Sequence, residues 1–85
     1  MKILKFQSDW CAPCKVQKTM MHGFDKCPVE EINIENGDER VSLHNIKSVP
    51  TLILVNEDGE ELWRKSGLTN IMEIEKSVSK YMKVG

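Results

Sequence analysis

Residues 3–17, ILKFQSDWCAPCKVQ, change hydrophobic period within a few positions, and the change sets a strand against a helix. The first part carries Ile3, Leu4 and Phe6 in a run too short for a helix, which suits a strand covered on both faces. Ser8 and Asp9 then offer helix-cap oxygens, and Val16, Met20 and Phe24 recur at four-residue spacing, the repeat of one helical face. Cys11 and Cys14 fall at the start of that helix, one turn apart, with Trp10 in front and Pro13 between them. A proline is tolerated there because the first N–H groups of a helix have no intrahelical partner.

Working outward, Gly23 and Pro28 end the helix, and Val29, Ile32 and Ile34 are the apolar members of a second strand. Asn36, Gly37 and Asp38 mark a turn before a short helical segment with Val41, Leu43 and Ile46. Residues 51–55, TLILV, are the most apolar run and read as a central strand. NEDG at 56–59 is a hairpin turn in which Gly59 takes positive φ, and EELWRKS alternates as the returning strand. Ile71, Ile74, Val78 and Tyr81 line one face of a closing helix. The order βαβ, short helix, ββα predicts an α/β fold: a central four-stranded mixed sheet flanked by helices, its first two strands parallel through a right-handed crossover. With no repeat, low-complexity tract or linker, residues 1–85 are expected to form a single domain.

The 12 basic and 13 acidic residues nearly cancel and are scattered, which argues against nucleic acid or an anionic membrane as partner. No segment approaches the roughly 20 apolar residues of a membrane span, and the N-terminal stretch reads as neither signal peptide nor anchor. Three cysteines without a secretory signal argue for a reducing, cytoplasmic setting, so Cys11 and Cys14 need a reason other than stapling the chain.

In a C-x-x-C sequence at a helix start, the first sulfur lies near unpaired N–H groups and the positive end of the helix dipole, both of which favour the thiolate. Cys11 is therefore the expected nucleophile, and Cys14, one turn further in, the more shielded thiol that resolves a mixed disulfide. The competing use of the pair is zinc, with His22 and Cys27 completing a Cys₃His set, but that convergence would unwind the helix. Cys27 otherwise reads as a loop or partly buried thiol, open to a regulatory mixed disulfide. His22 and His44 read as solvated or weakly capping residues, and Trp63 as a packing aromatic on an edge strand.

The motif WCAPC after a strand, SVPTLILVNEDGEEL leading into a hairpin, and Gly67 beyond it resemble the thioredoxin family over nearly the whole chain. Trp10 and Pro13 favour thioredoxin over glutaredoxin, although CAPC stands where CGPC is commonest, and the family's usual first strand and helix are lacking. The resemblance implies a minimal thioredoxin-like fold and a protein-disulfide reductase with catalytic Cys11 and Cys14. It also implies a cis Val49–Pro50 bond facing the dithiol, Val49 pairing with an extended substrate, and a docking rim of Trp10, Ala12, Pro13, Ile34, Val49 and Gly67. No Gly-rich dinucleotide fingerprint is present, so no cofactor is expected, and electrons would come from a thioredoxin-reductase-type donor to a monomer that acts on protein disulfides. The alternatives are a glutathione-dependent, glutaredoxin-like reductase and a redox-inert module that holds a metal or a partner. One departure concerns charge: Lys5 stands where the family has a buried aspartate, and Glu31 where it has a lysine. Either the two meet beneath the active site, with Glu31 in the place of the base or Lys5 lowering the pKa of Cys14, or Lys5 extends its ammonium to solvent with no part in the chemistry.

Overall fold

The computed structural model describes residues 1–82. Its elements are β1 (Lys2–Gln7), α1 (Ala12–Met20), β2 (Val29–Asn33), α2 (Arg40–Leu43), β3 (Thr51–Val55), β4 (Glu61–Ser66) and α3 (Ile71–Met82), in the expected order. Positions 83–85 of the expected domain lie outside the described residues. The strands form one sheet in the order β2-β1-β3-β4; β1 runs parallel to β2 and antiparallel to β3, and β4 is antiparallel to β3. A parallel neighbour requires a crossover, and α1 supplies it.

β1 and β3 are the internal strands, so both of their faces are covered: Ile3 through Phe6 and all of Thr51–Val55 are buried. On one face Ile3, Leu52 and Leu54 pack with Met21, Ile74 and Val78 under the helices. On the other, Leu4, Phe6, Ile53 and Val55 pack with Ile32 and the half-buried Val41, Ile46 and Val49. Each such side chain contributes roughly 1.5–3 kcal/mol when fully buried. Because β3 is apolar on both faces, alternation does not fix its register; the turn after it does. There Asn56 Oδ1 accepts the N–H groups of Asp58 and Glu60, each at 2.9 Å, and Gly59 sits at φ +83°. A bulge follows, with Leu54 opposite Trp63 and Val55 opposite Glu61. Leu62 and Trp63 therefore both pack against the core instead of alternating.

Two expected faces are corrected. The buried side of α1 is Cys14 and Gln17, continued by Met21, while Val16 is 48% exposed. Cys14 sets the phase, and a residue two positions on points elsewhere. In α2, Val41 packs inward but Leu43 is exposed, for the same reason. α3 follows its expected stripe: Ile74 and Val78 are fully buried, Ile71 and Tyr81 half-buried. Asn70 Oδ1 accepts the Glu73 N–H at 2.9 Å at the start of that helix.

Candidate active site

The C-terminal end of β1, the N-terminal end of β3 and the C-terminal end of β4 lie side by side, since Phe6 is paired with Thr51 and Thr51 with Ser66. α1 starts above this end with Cys11 as its N-cap, in an extended conformation (φ −92°, ψ 106°), its Sγ accepting the Cys14 N–H at 3.2 Å. The cap is thus a sulfur, not the oxygen expected from Ser8 or Asp9. Only the residue directly before the first helical position can reach the free N–H groups. Ser8 instead gives its carbonyl to the Cys11 N–H at 3.4 Å, and Asp9 Oδ1 accepts from Asn33 Nδ2 at 2.9 Å, tying the loop to β2. Pro13 lies in the first turn, and no carboxylate there competes for the exposed N–H groups.

Cys11 and Cys14 are joined as a disulfide with their Cα atoms 5.2 Å apart. Both are buried, Cys11 at 9% exposure and Cys14 at 3%. Cys11 Sγ lies 3.7 Å from the Val49 carbonyl oxygen, and the Val49–Pro50 bond is cis. Pro50 is buried, and its carbonyl accepts the Gly67 N–H at 2.8 Å. Trp10 stands 77% exposed beside the pair, and Ala12 and Pro13 are exposed as well. Ile34 and Val49 are half-buried against the Phe6 side of the sheet, Ile34 donating its N–H to the Gln7 carbonyl at 2.9 Å. Gly67 has φ +84°, and a Cβ there would meet nothing within 4 Å. Glycine is needed for the backbone angle, and the space beside it is open. Two residues at this end had no sequence signal because their partners are remote. Glu35 Oε2 accepts the Trp10 Nε1–H at 3.2 Å, and Gln17 bonds the backbone of Thr69.

Lys5 does not reach solvent: it is 2% exposed, its Nζ 2.8 Å from Gln7 Oε1 and 3.0 Å from Glu31 Oε2. The parallel pairing places Lys5 opposite Glu31, so the charge-exchanged residues form one ion pair. They line a cleft together with Lys18, Met21, Phe24 and Val29, which places them beside the later half of α1. The hydrogen bond from Lys5 holds the Glu31 carboxyl below its ordinary range, against the opposing effect of burial.

His22 is exposed, and Cys27 is half-buried against the Ile3 core, where burial pushes its thiol pKa up. Of the two readings expected for His44, it is not solvated but does stand at the C-cap of α2. It is buried edge-on to Phe6, with Nδ1 3.4 Å from Glu61 Oε1. Among the described residues no group of three or more His, Cys, Asp and Glu side chains is placed to hold a metal ion, and no helix is long and apolar enough to cross a membrane.

The family model described as Thioredoxin matches residues 1–80. The thioredoxin of Buchnera aphidicola subsp. Acyrthosiphon pisum is 30% identical over 77 residues, covering 85% of this chain and 70% of that protein. The thioredoxin of Chlamydia trachomatis serovar D is 26% identical over 83 residues, covering 93% and 80%. Among solved structures, thioredoxin 1 from Thermosipho africanus superposes with a TM-score of 0.78 at 25% identity, covering 99% of this chain and 97% of that one. A mutant thioredoxin from Halobacterium salinarum superposes at 0.82 with 24% identity, covering 94% and 73%, a likeness of fold. With a paired Cys11–Cys14 in a WCxxC site on this sheet, the chain is a thiol-disulfide oxidoreductase and belongs to the thioredoxin family.

Proposed function

We propose that the chain reduces disulfides in proteins, with Cys11 as the attacking thiolate and Cys14 as the resolving thiol. The observation that carries this assignment is the N-cap position of Cys11, whose sulfur accepts the Cys14 N–H of the helix. A free N-terminal N–H and the helix dipole both stabilise negative charge on that sulfur. In the reaction the Cys11 thiolate attacks one sulfur of the client disulfide, forming a Cys11–client disulfide and releasing the other client sulfur as a thiolate, which takes up a proton. Cys14 loses its proton and attacks Cys11 Sγ, releasing the second client thiol. Two electrons pass to the client, and the Cys11–Cys14 disulfide remains.

The client enters as an extended segment paired with the Val49 backbone, beside Pro50, with Trp10, Ala12, Pro13, Ile34 and Gly67 around it. The Lys5–Glu31 pair acts by charge. A carboxyl held below its ordinary range is a weak acceptor for a thiol proton, whereas a buried ammonium on the helix-covered face of the sheet favours an anion at Cys14. The protein works as a cytoplasmic monomer of one domain, recharged by a thioredoxin-reductase-type dithiol donor; its radius of gyration of 12.2 Å matches the roughly 12 Å of a single folded unit this size. The test is reduction of insulin disulfides driven by either thioredoxin reductase or glutathione. Wild type is expected to turn over with the reductase, while Cys11→Ser and Cys14→Ser do not; turnover by Cys11→Ser, or recharge by glutathione alone, contradicts the reading.

A further inference from the structure

Gln17 is fully buried in α1, and both ends of its amide are paired with one residue 52 positions away. Nε2 donates to the Thr69 carbonyl at 2.9 Å, and Oε1 accepts the Thr69 N–H at 2.8 Å. The side chain thus serves as a strand neighbour to a loop that has none. Thr69 is itself buried, and its hydroxyl donates to the Gly67 carbonyl at 3.3 Å. Gly67 donates its N–H to Pro50, and the preceding Val49 carbonyl lies 3.7 Å from Cys11 Sγ. The contacts form a ring. It runs from the helix that carries the dithiol, through Gln17 and Thr69 to Gly67, then through Pro50 and Val49 back to Cys11.

We propose that Gln17 is a positioning residue for client docking, a role that rests on the oxidoreductase reading and on Val49 and Gly67 as walls of the client groove. The Gly67–Asn70 segment forms one wall, and the amide of Gln17 fixes that wall relative to the sulfurs. An extended polypeptide needs the wall in place for its disulfide to meet Cys11 in line. A small disulfide that touches only the sulfur does not. Removing the amide leaves two buried backbone groups of Thr69 unpaired, and the loop moves to satisfy them.

The experiment compares two second-order rate constants for the reduced protein, one with insulin and one with the small aromatic disulfide 5,5′-dithiobis(2-nitrobenzoate). Gln17→Met keeps the volume of the side chain and removes both hydrogen bonds; the insulin-to-small-disulfide ratio is expected to fall roughly tenfold. Val55→Ala, at the opposite end of β3, loosens the core without touching the ring and is expected to keep the wild-type ratio. If Gln17→Met does not fold, Gln17→Glu is read in the same way: it keeps the acceptor for Thr69 and loses the donor, so its ratio should also fall. A wild-type ratio in the folded variant, or an equal fall in Val55→Ala, overturns the role of Gln17. Failure of the wild-type protein to reduce the small disulfide at all would instead overturn the oxidoreductase reading beneath it.

Discussion

Lys5 carries an ammonium into the interior, and its company decides what its removal does. Glu31 and Gln7 are the acceptors on it. Glu31→Gln leaves the buried cation without its counter-charge and is expected to destabilise the fold by about 1–2 kcal/mol, a figure kept low because Glu31 is partly exposed. Lys5→Met exchanges the ammonium for an apolar side chain of similar length and is expected to destabilise less, an order that urea unfolding midpoints will check. The same variant tests the chemistry. If the ammonium favours the Cys14 thiolate, the pH midpoint of disulfide reduction should move up in Lys5→Met, and superimposable pH profiles would remove that role. Cys27 makes a contrast. Its thiol pKa is raised by burial, so iodoacetamide at neutral pH should label Cys11 in the reduced protein well before Cys27, and Cys27→Ser should keep full activity.

Among the elements, α1 shows how far a sequence pattern reaches. Val16 and Met21 differ by their place on the helix and not by hydrophobicity, so Val16→Glu should leave the unfolding midpoint nearly unchanged while Met21→Ala lowers stability by about 2–4 kcal/mol. Chemical denaturation of the two variants separates the observed face from the Val16–Met20–Phe24 face. Of that expected face Phe24 does pack against the core and Val16 does not: the four-residue spacing is as regular as that of Cys14, Gln17 and Met21, and a glutamine does not advertise burial when its partner lies 52 positions on. The strands were legible: the apolar run at 51–55 and the glycine turn after it require little beyond local chemistry. So was the dithiol, since its spacing, Pro13 and Trp10 lie within five residues. Glu35 under Trp10 and Glu61 beside His44 were hidden for the opposite reason, each being brought to its partner by sheet pairing or a returning loop.

At the scale of the whole molecule, ion-paired carboxylates lie on both edge strands of the sheet, Glu30 and Glu31 on β2 and Glu61 on β4. Glu30 is held at about 2 by Arg40 and then Lys2, and Asp38 at about 2 by Arg40. Glu31 and Glu61 are shifted the same way by Lys5 and Arg64. Folded carboxyls with lowered pKa values bind protons later than unfolded ones as pH drops. Their stabilising contribution is therefore complete above the ordinary range near 4.5 and is lost progressively as pH falls toward about 2. Urea midpoints should hold steady from roughly pH 7 to pH 5 and decline below that, with a shallower decline in Glu30→Gln. The proposed function depends on one end of the sheet gathering Cys11, Cys14, Val49, Pro50 and Gly67, and on the first sulfur being the one that attacks. The most direct measurement is trapping in a Cys27→Ser background, where a protein disulfide is added to the reduced Cys14→Ser and Cys11→Ser chains and adducts are read by intact mass. Cys14→Ser is predicted to accumulate one mixed disulfide per chain, through Cys11, and Cys11→Ser none; an adduct that forms on Cys14 instead would contradict the account.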